Sequence, residues 1–207
     1  MTTVTMIDYG LGNVRSVQKA LEHVGAEVAL TADPDVIRSA GKLVLPGVGA
    51  FGAGMAALRE RGLVPAIQEA VEQGAALLGI CLGMQLLFEE SEERGKHRGL
   101  ALLPGWVVRF PVNDLKVPHV GWNRIEHDGD HPLLAGVPSG AYAYFVHSFY
   151  CAAGDPDDVI ASTEYGLRFP AIASRGNVAG IQFHPEKSQH VGLRILRNFV
   201  QATGGNA

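Results

Sequence analysis

The sequence predicts an α/β fold: an open, mostly parallel, twisted sheet flanked by helices, with an added layer of antiparallel strands. In the first half of the 207 residues, short apolar segments alternate with amphipathic ones, a pattern typical of parallel strands joined by helices. In the second half, apolar segments follow one another with few helices between them, as antiparallel strands do. This length is enough for one packed core, so we expect residues 1–207 to form a single domain.

The first half contains the alternating strands and helices. A helix is predicted over 13–24, where apolar side chains recur every three or four residues. Asp33 is the expected N-cap of a short helix that begins at Pro34. A longer helical region runs to Val71, with interruptions near Gly62 and Pro65. The predicted strands cover 4–8, 27–31, 42–45 and 75–80.

The second half is predicted to be mainly strands. Two apolar segments, 171–174 and 177–183, flank Arg175-Gly176 and indicate a hairpin. A final helix is expected from Ser188 to about Thr203, and Trp106 is expected to pack inside. The other predicted strands cover 106–110, 121–127, 141–151 and 159–164.

Composition excludes several classes of protein. The net charge of −4 and the absence of a Lys/Arg cluster argue against nucleic-acid binding, and no apolar segment has the length of a membrane span. With only two cysteines and no signal-peptide pattern, we expect a cytoplasmic protein. The two cysteines, Cys81 and Cys151, form no Cys-x-x-Cys pair, and the eight histidines are scattered along the chain, so neither a metal nor another cofactor is expected.

The most informative segment places Cys81 between Gly79 and Gly83, where a buried strand gives way to a helix. A side chain on such a turn is pushed out of the sheet, and the helix N-terminus beside it favours a thiolate. A lone cysteine is, however, more often a small buried hydrophobe. By itself, the turn is compatible with either interpretation.

A second motif supplies what a cysteine nucleophile requires. His184 ends an apolar segment, and Pro185 keeps it out of the helical conformation. Glu186 can then lie on the same side of the chain and orient the imidazole ring. Together with Cys81, these residues have the composition of a Cys-His-Glu triad.

A third motif is the glycine-rich segment 45–54. It lacks the Lys-Ser/Thr pair of a phosphate-binding loop. Its backbone N–H groups, at Val48 and Gly49, could instead stabilise an oxyanion together with the N–H of Leu82.

These three motifs resemble the class I (triad) glutamine amidotransferases, and the spacing of about a hundred residues between Cys81 and His184 fits as well. The resemblance extends from the first strand to the last helix. Five further strings are similar to the glutaminase subunits of imidazole glycerol phosphate synthases in histidine biosynthesis: residues 8–13, 46–51, 117–123, 144–150 and 184–188.

The resemblance implies a reaction. Cys81 would attack the side-chain amide of L-glutamine, His184 would protonate the departing ammonia, and Glu186 would orient His184. Water would then hydrolyse the γ-glutamyl thioester to glutamate. The residues implied to contact the substrate are Gln85 and Glu93 by their side chains and Ser148 and Phe149 by their backbone.

The resemblance also implies a partner. Ammonia would pass to a cyclase subunit, a (β/α)8 barrel, within a heterodimer that forms imidazole glycerol phosphate and an aminoimidazole carboxamide ribotide. The residues implied to face this partner are Asn13, His119, Trp122 and Lys187. Each has an ordinary alternative: a helix cap for Asn13, packing for His119 and Trp122, and plain exposure for Lys187.

Two features are expected to be structural. The acidic residues of segment 89–93 are interpreted as a solvated helix end, except for Glu93, and Cys151 is interpreted as core. Three other functions remain open at this stage: the glutaminase of another triad amidotransferase, such as that of pyridoxal phosphate synthesis; a non-catalytic glutamine-sensing subunit; and a cysteine peptidase or related hydrolase.

Overall fold

The computed structural model describes residues 2–111 and 115–202. The helices of these residues are α1 (Val14–His23), α2 (Pro34–Arg38), α3 (Phe51–Glu60), α4 (Leu63–Glu72), α5 (Leu82–Leu87) and α6 (Gln189–Gln201). The strands are β1 (Thr2–Ile7), β2 (Ala26–Thr31), β3 (Lys42–Gly47), β4 (Ala76–Cys81), β5 (Phe88–Ser91), β6 (His97–Arg98), β7 (Leu103–Arg109), β8 (His119–Ile125), β9 (Ala141–His147), β10 (Phe149–Ala153), β11 (Val159–Glu164), β12 (Arg168–Arg175) and β13 (Val178–Ile181).

The strands form three sheets. The central sheet has the order β11-β12-β13-β4-β3-β1-β2. Strands β2, β1, β3, β4 and β13 pair in parallel, whereas β11 and β12 pair antiparallel at one edge. A four-stranded sheet, β10-β7-β5-β6, and a two-stranded sheet, β8-β9, add to it. The predicted fold, a mostly parallel sheet with added antiparallel strands, is confirmed.

Strand β4 is the middle strand of the seven-stranded sheet, and each of its residues is buried. Leu78 and Ile80 belong to the apolar cluster that includes residues of α1 and α6, whereas Leu77 belongs to the cluster that includes residues of α3 and α4. Helices therefore cover both faces of the sheet, which explains why β4 is apolar throughout rather than alternating. None of the helices in the described ranges is both long enough and apolar enough to cross a bilayer.

Several element predictions were wrong in detail. Pro65 does not interrupt a helix, because it lies in the first turn of α4, where its missing N–H leaves no hydrogen bond unmade. Arg61 and Gly62 separate α3 from α4. The strand predicted over 141–151 breaks at Ser148, and its halves, β9 and β10, belong to different sheets. The last helix ends at Gln201, and Thr203 lies outside the described residues.

Trp106 is not packed inside. In β7 Leu103, Gly105 and Val107 are buried, so the alternation of the strand turns Trp106 outward, where it is 55% exposed.

The acidic segment is not a helix end. Its first half forms β5, and three of its carboxylates accept hydrogen bonds from backbone N–H groups far along the chain. Glu89 accepts from Gly105 at 2.9 Å, and Glu92 accepts from Arg109 at 2.8 Å. Glu93 accepts from Phe51 at 2.7 Å. The segment therefore ties β7 and the start of α3 together, while Glu89 and Glu92 remain exposed to solvent.

Candidate active site

The site forms where the neighbouring parallel strands β3, β4 and β13 end. Cys81 is the last residue of β4 and pairs with Gly47 of β3, while His184 follows β13, whose Ile181 pairs with Ile80. Carboxyl ends of parallel strands meet at one edge of a sheet, so the predicted nucleophile and base are brought together. They border a cavity of about 410 Å³ lined by Val48, Gly49, Cys81, Leu82, Gln85, Glu93, Pro118, Val146, His147, Ser148, Phe149, His184 and Lys187.

Cys81 adopts an uncommon backbone conformation. Its φ is +56° and its ψ is −110°, and it is the residue that precedes α5. A residue with a side chain holds such angles only where its surroundings impose them, at a cost of order 1–3 kcal/mol. The conformation turns the thiol out of the sheet, toward the cavity and the N-terminus of α5.

The two glycines around Cys81 allow α5 to start close to the sheet. A Cβ added to Gly83 would lie 1.8 Å from the carbonyl oxygen of Leu45, and one added to Gly79 would lie 2.6 Å from the carbonyl oxygen of Gly83. Both atoms belong to the backbone and cannot move aside easily. The Gly-x-Cys-x-Gly pattern is therefore a steric requirement of this turn.

His184 and Glu186 form a buried pair. His184 Nδ1 lies 2.9 Å from Glu186 Oε1, and the two side chains are almost completely buried. A short turn at Pro185–Lys187 folds Glu186 back toward the ring. Because a carboxylate only accepts hydrogen bonds, Nδ1 carries the proton in this pair, and Nε2 is the nitrogen left for Cys81.

The protonation of His184 follows from opposing effects. Burial by itself lowers the pKa of the ring, but the nearby Cys81 thiol and the Glu186 carboxylate together outweigh burial and raise that pKa to about 9. Within the described part of the chain, Nε2 is buried and completes no well-formed hydrogen bond. Cys81 thus acts on the ring as a close neighbour rather than as a formed hydrogen-bond partner.

Backbone hydrogen bonds fix His184 on strand β9. The N–H of His184 donates to the carbonyl of Tyr144 at 2.9 Å. The buried hydroxyl of Ser188 donates to the carbonyl of His184 at 2.7 Å and accepts from the N–H of Tyr144 at 2.9 Å. Ser188 received no role from the sequence, because its partners lie in β9 and in its own turn.

The three predicted oxyanion donors border the cavity. Leu82 is the first residue of α5, so its N–H has no partner within the helix. Val48 and Gly49 directly follow Gly47, the residue of β3 that pairs with Cys81. The glycine-rich loop therefore lies beside the thiol, as the sequence predicts.

The four predicted substrate contacts also line the cavity. Gln85 Nε2 donates to the carbonyl of Phe149 at 3.0 Å and to Gln182 Oε1 at 3.1 Å. One oxygen of Glu93 accepts from the N–H of Phe51 at the start of α3, which places a carboxylate against the positive end of that helix.

Of the four predicted partner-facing residues, three are accessible. Trp122 is 47% exposed on β8. Lys187 is exposed, lines the cavity, and holds its Nζ 5.8 Å from the centre of the Tyr144 ring. Asn13 is half-buried before α1, and its side chain makes no capping hydrogen bond.

For His119 the structure agrees with the packing alternative and not with a partner-facing role. It is 3% exposed and stacks on Phe145 and Tyr165, with ring centroids 5.0 and 4.1 Å away. The alternation along β8 turns its side chain inward, whereas Val120 and Trp122 point outward.

The sequence assigned no role to three residues of the cavity wall, Pro118, Val146 and His147. For His147 a signal was present: residues 143, 145 and 147 alternate inward along β9, so His147 falls on the buried side of a strand that leads to the site. Among the described residues, no group of three or more His, Cys, Asp or Glu side chains is placed to hold a metal ion.

Comparison with known proteins identifies the family. The profile of the class I glutamine amidotransferases matches residues 5–202. The chain belongs to the class I glutamine amidotransferases. It is 52% identical over 201 residues to imidazole glycerol phosphate synthase subunit HisH of Salinibacter ruber, covering 94% of this chain and 92% of that protein. It is 50% identical over 209 residues to the HisH subunit of Moorella thermoacetica, covering 100% of this chain and 99% of that protein. The predicted resemblance is confirmed, and within this amidotransferase family the chain groups with the HisH subunits.

Solved structures agree with the fold of this amidotransferase. A structure described as a glutamine amidotransferase superimposes with a TM-score of 0.75 at 21% identity, over 96% of this chain and 99% of that one. A structure of PurLQS from Thermotoga maritima superimposes with a TM-score of 0.76 at 21% identity, over 96% of this chain and 98% of that one.

Proposed function

We propose that this amidotransferase is the glutaminase subunit of an imidazole glycerol phosphate synthase. It hydrolyses L-glutamine to glutamate and delivers the ammonia to a cyclase subunit, HisF. One structural observation carries the proposal: Cys81, held on a strained strand-to-helix turn, borders the same cavity as the buried His184–Glu186 pair. The full-length similarity to HisH subunits supports the choice of partner and pathway.

The proposed reaction has two halves. The Cys81 thiolate attacks the carbonyl carbon of the glutamine side chain, and the N–H groups of Leu82 and the Val48–Gly49 segment stabilise the oxyanion. His184 gives its proton to the amide nitrogen, the C–N bond breaks, and ammonia departs. The γ-glutamyl group remains bound to Cys81 as a thioester. Water then attacks the thioester with His184 as base, which releases glutamate and restores the thiolate.

The electrostatics of the pair suit the first half. Because the pKa of His184 is raised to about 9, the ring stays protonated at neutral pH and can serve as the acid. Its charge in turn favours the thiolate form of its neighbour, as in other cysteine–histidine pairs. Glu186 keeps the ring oriented with Nε2 toward the thiol.

The amino-acid end of glutamine is proposed to lie against the part of the cavity wall that Gln85, Glu93, Ser148 and Phe149 form. Glu93 would bind the ammonium group, because its carboxylate borders the cavity. The backbone of Ser148 and Phe149 would bind the carboxylate, and Gln85, one helical turn after Cys81, would contact the substrate from α5.

The cyclase is proposed to dock on the outer face of the two-stranded sheet, the β8–β9 face, which comprises Val120, Trp122, Tyr142 and Val146. These large apolar side chains are exposed; Val120 pairs with Val146 across the two strands, and Trp122 and Tyr142 lie diagonally from each other. Val146 and Lys187 also line the cavity, so a protein on this face would cover the ammonia source. Asn13, half-buried before α1, is also proposed to face the cyclase.

Residues 1–207 act as one glutaminase domain in a cytoplasmic heterodimer with a (β/α)8-barrel cyclase. That barrel uses the ammonia to form imidazole glycerol phosphate and an aminoimidazole carboxamide ribotide. Purification with tagged candidate barrels tests the partner: binding of a pyridoxal phosphate synthase barrel in place of the cyclase would contradict it.

Labelling tests the nucleophile. The complex is treated with a glutamine-mimicking electrophile such as 6-diazo-5-oxo-L-norleucine, digested and mapped by mass spectrometry. We expect a single modification on Cys81, prevented by excess L-glutamine. Cys151 serves as the internal control, because it is fully buried and burial raises the pKa of its thiol well above the ordinary value. Modification of Cys151 with Cys81 unlabelled would overturn the site.

A further inference from the structure

Two buried histidines outside the triad form a hydrogen-bonded chain that ends on the wall of the glutamine cavity. His147 Nδ1 lies 2.8 Å from the carbonyl oxygen of Phe149, and its Nε2 lies 3.1 Å from His119 Nδ1. His119 Nε2 lies 3.4 Å from Asn123 Nδ2, which also donates to the carbonyl of Glu164 at 2.7 Å. The exposed fractions of His119 and His147 are only 3% and 7%.

Hydrogen-bonding rules fix the direction of this chain. A carbonyl oxygen only accepts, so Nδ1 of His147 carries the hydrogen. A neutral imidazole has one N–H, so Nε2 of His147 accepts from Nδ1 of His119, and Nε2 of His119 accepts from Asn123. Burial keeps both rings neutral, because it lowers the pKa of His147 to about 3 and that of His119 to about 4. Each donor therefore points toward Phe149.

The chain ends on a peptide that is held from two sides. The carbonyl of Phe149 accepts from His147 and, at 3.0 Å, from Gln85 Nε2. The carbonyl of the preceding residue, Ser148, accepts from the N–H of Phe110 at 3.3 Å. Both carbonyls of the Ser148–Phe149 segment are thus bound within the protein, at the point where β9 gives way to β10.

We propose that His147 is a positioning residue for glutamine binding. It fixes the Ser148–Phe149 segment in the orientation that receives the amino-acid end of the substrate, and His119 fixes the tautomer of His147 that can do so. This inference rests on the proposed glutaminase function. His147 acts through the Phe149 carbonyl and takes no part in the transfer of protons or of the acyl group.

A matched pair of variants separates this role from simple packing. In His147→Asn, the side-chain amide nitrogen occupies about the place of Nδ1 and can still donate to Phe149. In His147→Gln, the amide lies about where Nε2 was, so it can accept from His119 but leaves the Phe149 carbonyl without this donor. His23→Asn, at the exposed end of α1, is the control for a histidine lost elsewhere.

The measurement is the KM for glutamine and the kcat of glutamate release in the complex with the cyclase, with the Tm of each variant. We expect His147→Gln to raise KM about 5- to 10-fold, the usual effect of one lost hydrogen bond, with little change in kcat. His147→Asn is expected to keep KM within about twofold of the wild type, and His23→Asn to change neither parameter. In ¹⁵N NMR of the histidine rings, His147 should be neutral and protonated at Nδ1.

The contrary results are distinct. An equal KM in both His147 variants, or a KM that simply follows the loss of Tm, would overturn the positioning role. A His147 ring protonated at Nε2 in the wild type would overturn its hydrogen-bond basis. A wild-type complex without glutaminase activity would instead refute the proposed function, and this inference with it.

Discussion

Glu186→Gln isolates the electrostatic part of the proposed mechanism. The glutamine side chain has nearly the same shape and can still accept from His184 Nδ1, but it lacks the charge that favours the imidazolium. The pKa of His184 is raised from 6.5 to about 9, and Cys81 shares in that effect with Glu186. We therefore expect the variant to lose part of the rise, about one to two pH units.

The size of the effect depends on pH. At pH 8 a group with a pKa of about 9 is roughly 90% protonated, whereas one with a pKa of 8 to 7 is about 50% to 10% protonated. The active fraction at pH 8 should therefore fall between about twofold and ninefold. At pH 6 both forms are almost fully protonated, so this contribution should vanish there.

The assay is kcat/KM for glutamine from pH 6 to 10, followed by glutamate release in the complex with the cyclase. The basic limb of the profile should lie near pH 9 in the wild type and at lower pH in Glu186→Gln. A uniform loss of activity with an unchanged basic limb would refute the reasoning, because Glu186 would then orient the ring without stabilising its charge.

Three further results are expected. Gly83→Ala should lower the free energy of unfolding, measured in urea, by about 3 kcal/mol or more, since its Cβ would lie 1.8 Å from a backbone carbonyl oxygen of β3. Gly41→Ala is the control, because the space around its Cβ is open. Equal stabilities of the two variants would contradict the steric argument. His119 and His147 remain neutral in the fold but titrate near pH 6.5 when unfolded, so the unfolded state binds more protons below that pH. The free energy of unfolding should therefore fall from pH 6.5 toward pH 4, by up to about 1.4 kcal/mol per pH unit for each ring. If His147→Asn leaves this slope unchanged, His147 does not contribute to the pH dependence of stability. Trp122→Ala should weaken cyclase binding by about 2 kcal/mol, roughly 30-fold, in calorimetry, while labelling of the thiol stays normal; an unchanged affinity would remove Trp122 from the interface.

The sequence predicted the parts of this site that depend on local chemistry. Gly79 and Gly83 around Cys81 indicated the turn, and Pro185 with Glu186 indicated how the base is oriented. Parallel strands then required these loops to meet, because the carboxyl ends of β4 and β13 lie side by side.

The remaining features depend on contacts between distant segments. The alternation of β9 indicates that His147 lies on the same face as Ala143 and Phe145, but its hydrogen bonds to His119 and to the Phe149 carbonyl depend on how β8 pairs with β9. Likewise, the carboxylates of segment 89–93 find their backbone donors in β7 and α3, so an acidic segment that looks solvated is in fact tied down.

The glutamine-dependent rate of Cys81→Ala in the complex with the cyclase tests the central claim most directly. We expect glutamine to support no imidazole glycerol phosphate formation in this variant, while added ammonium salt supports it at the wild-type ammonia-dependent rate. A Cys81→Ala complex that retains its glutamine-dependent rate would contradict the assignment of Cys81 as the nucleophile.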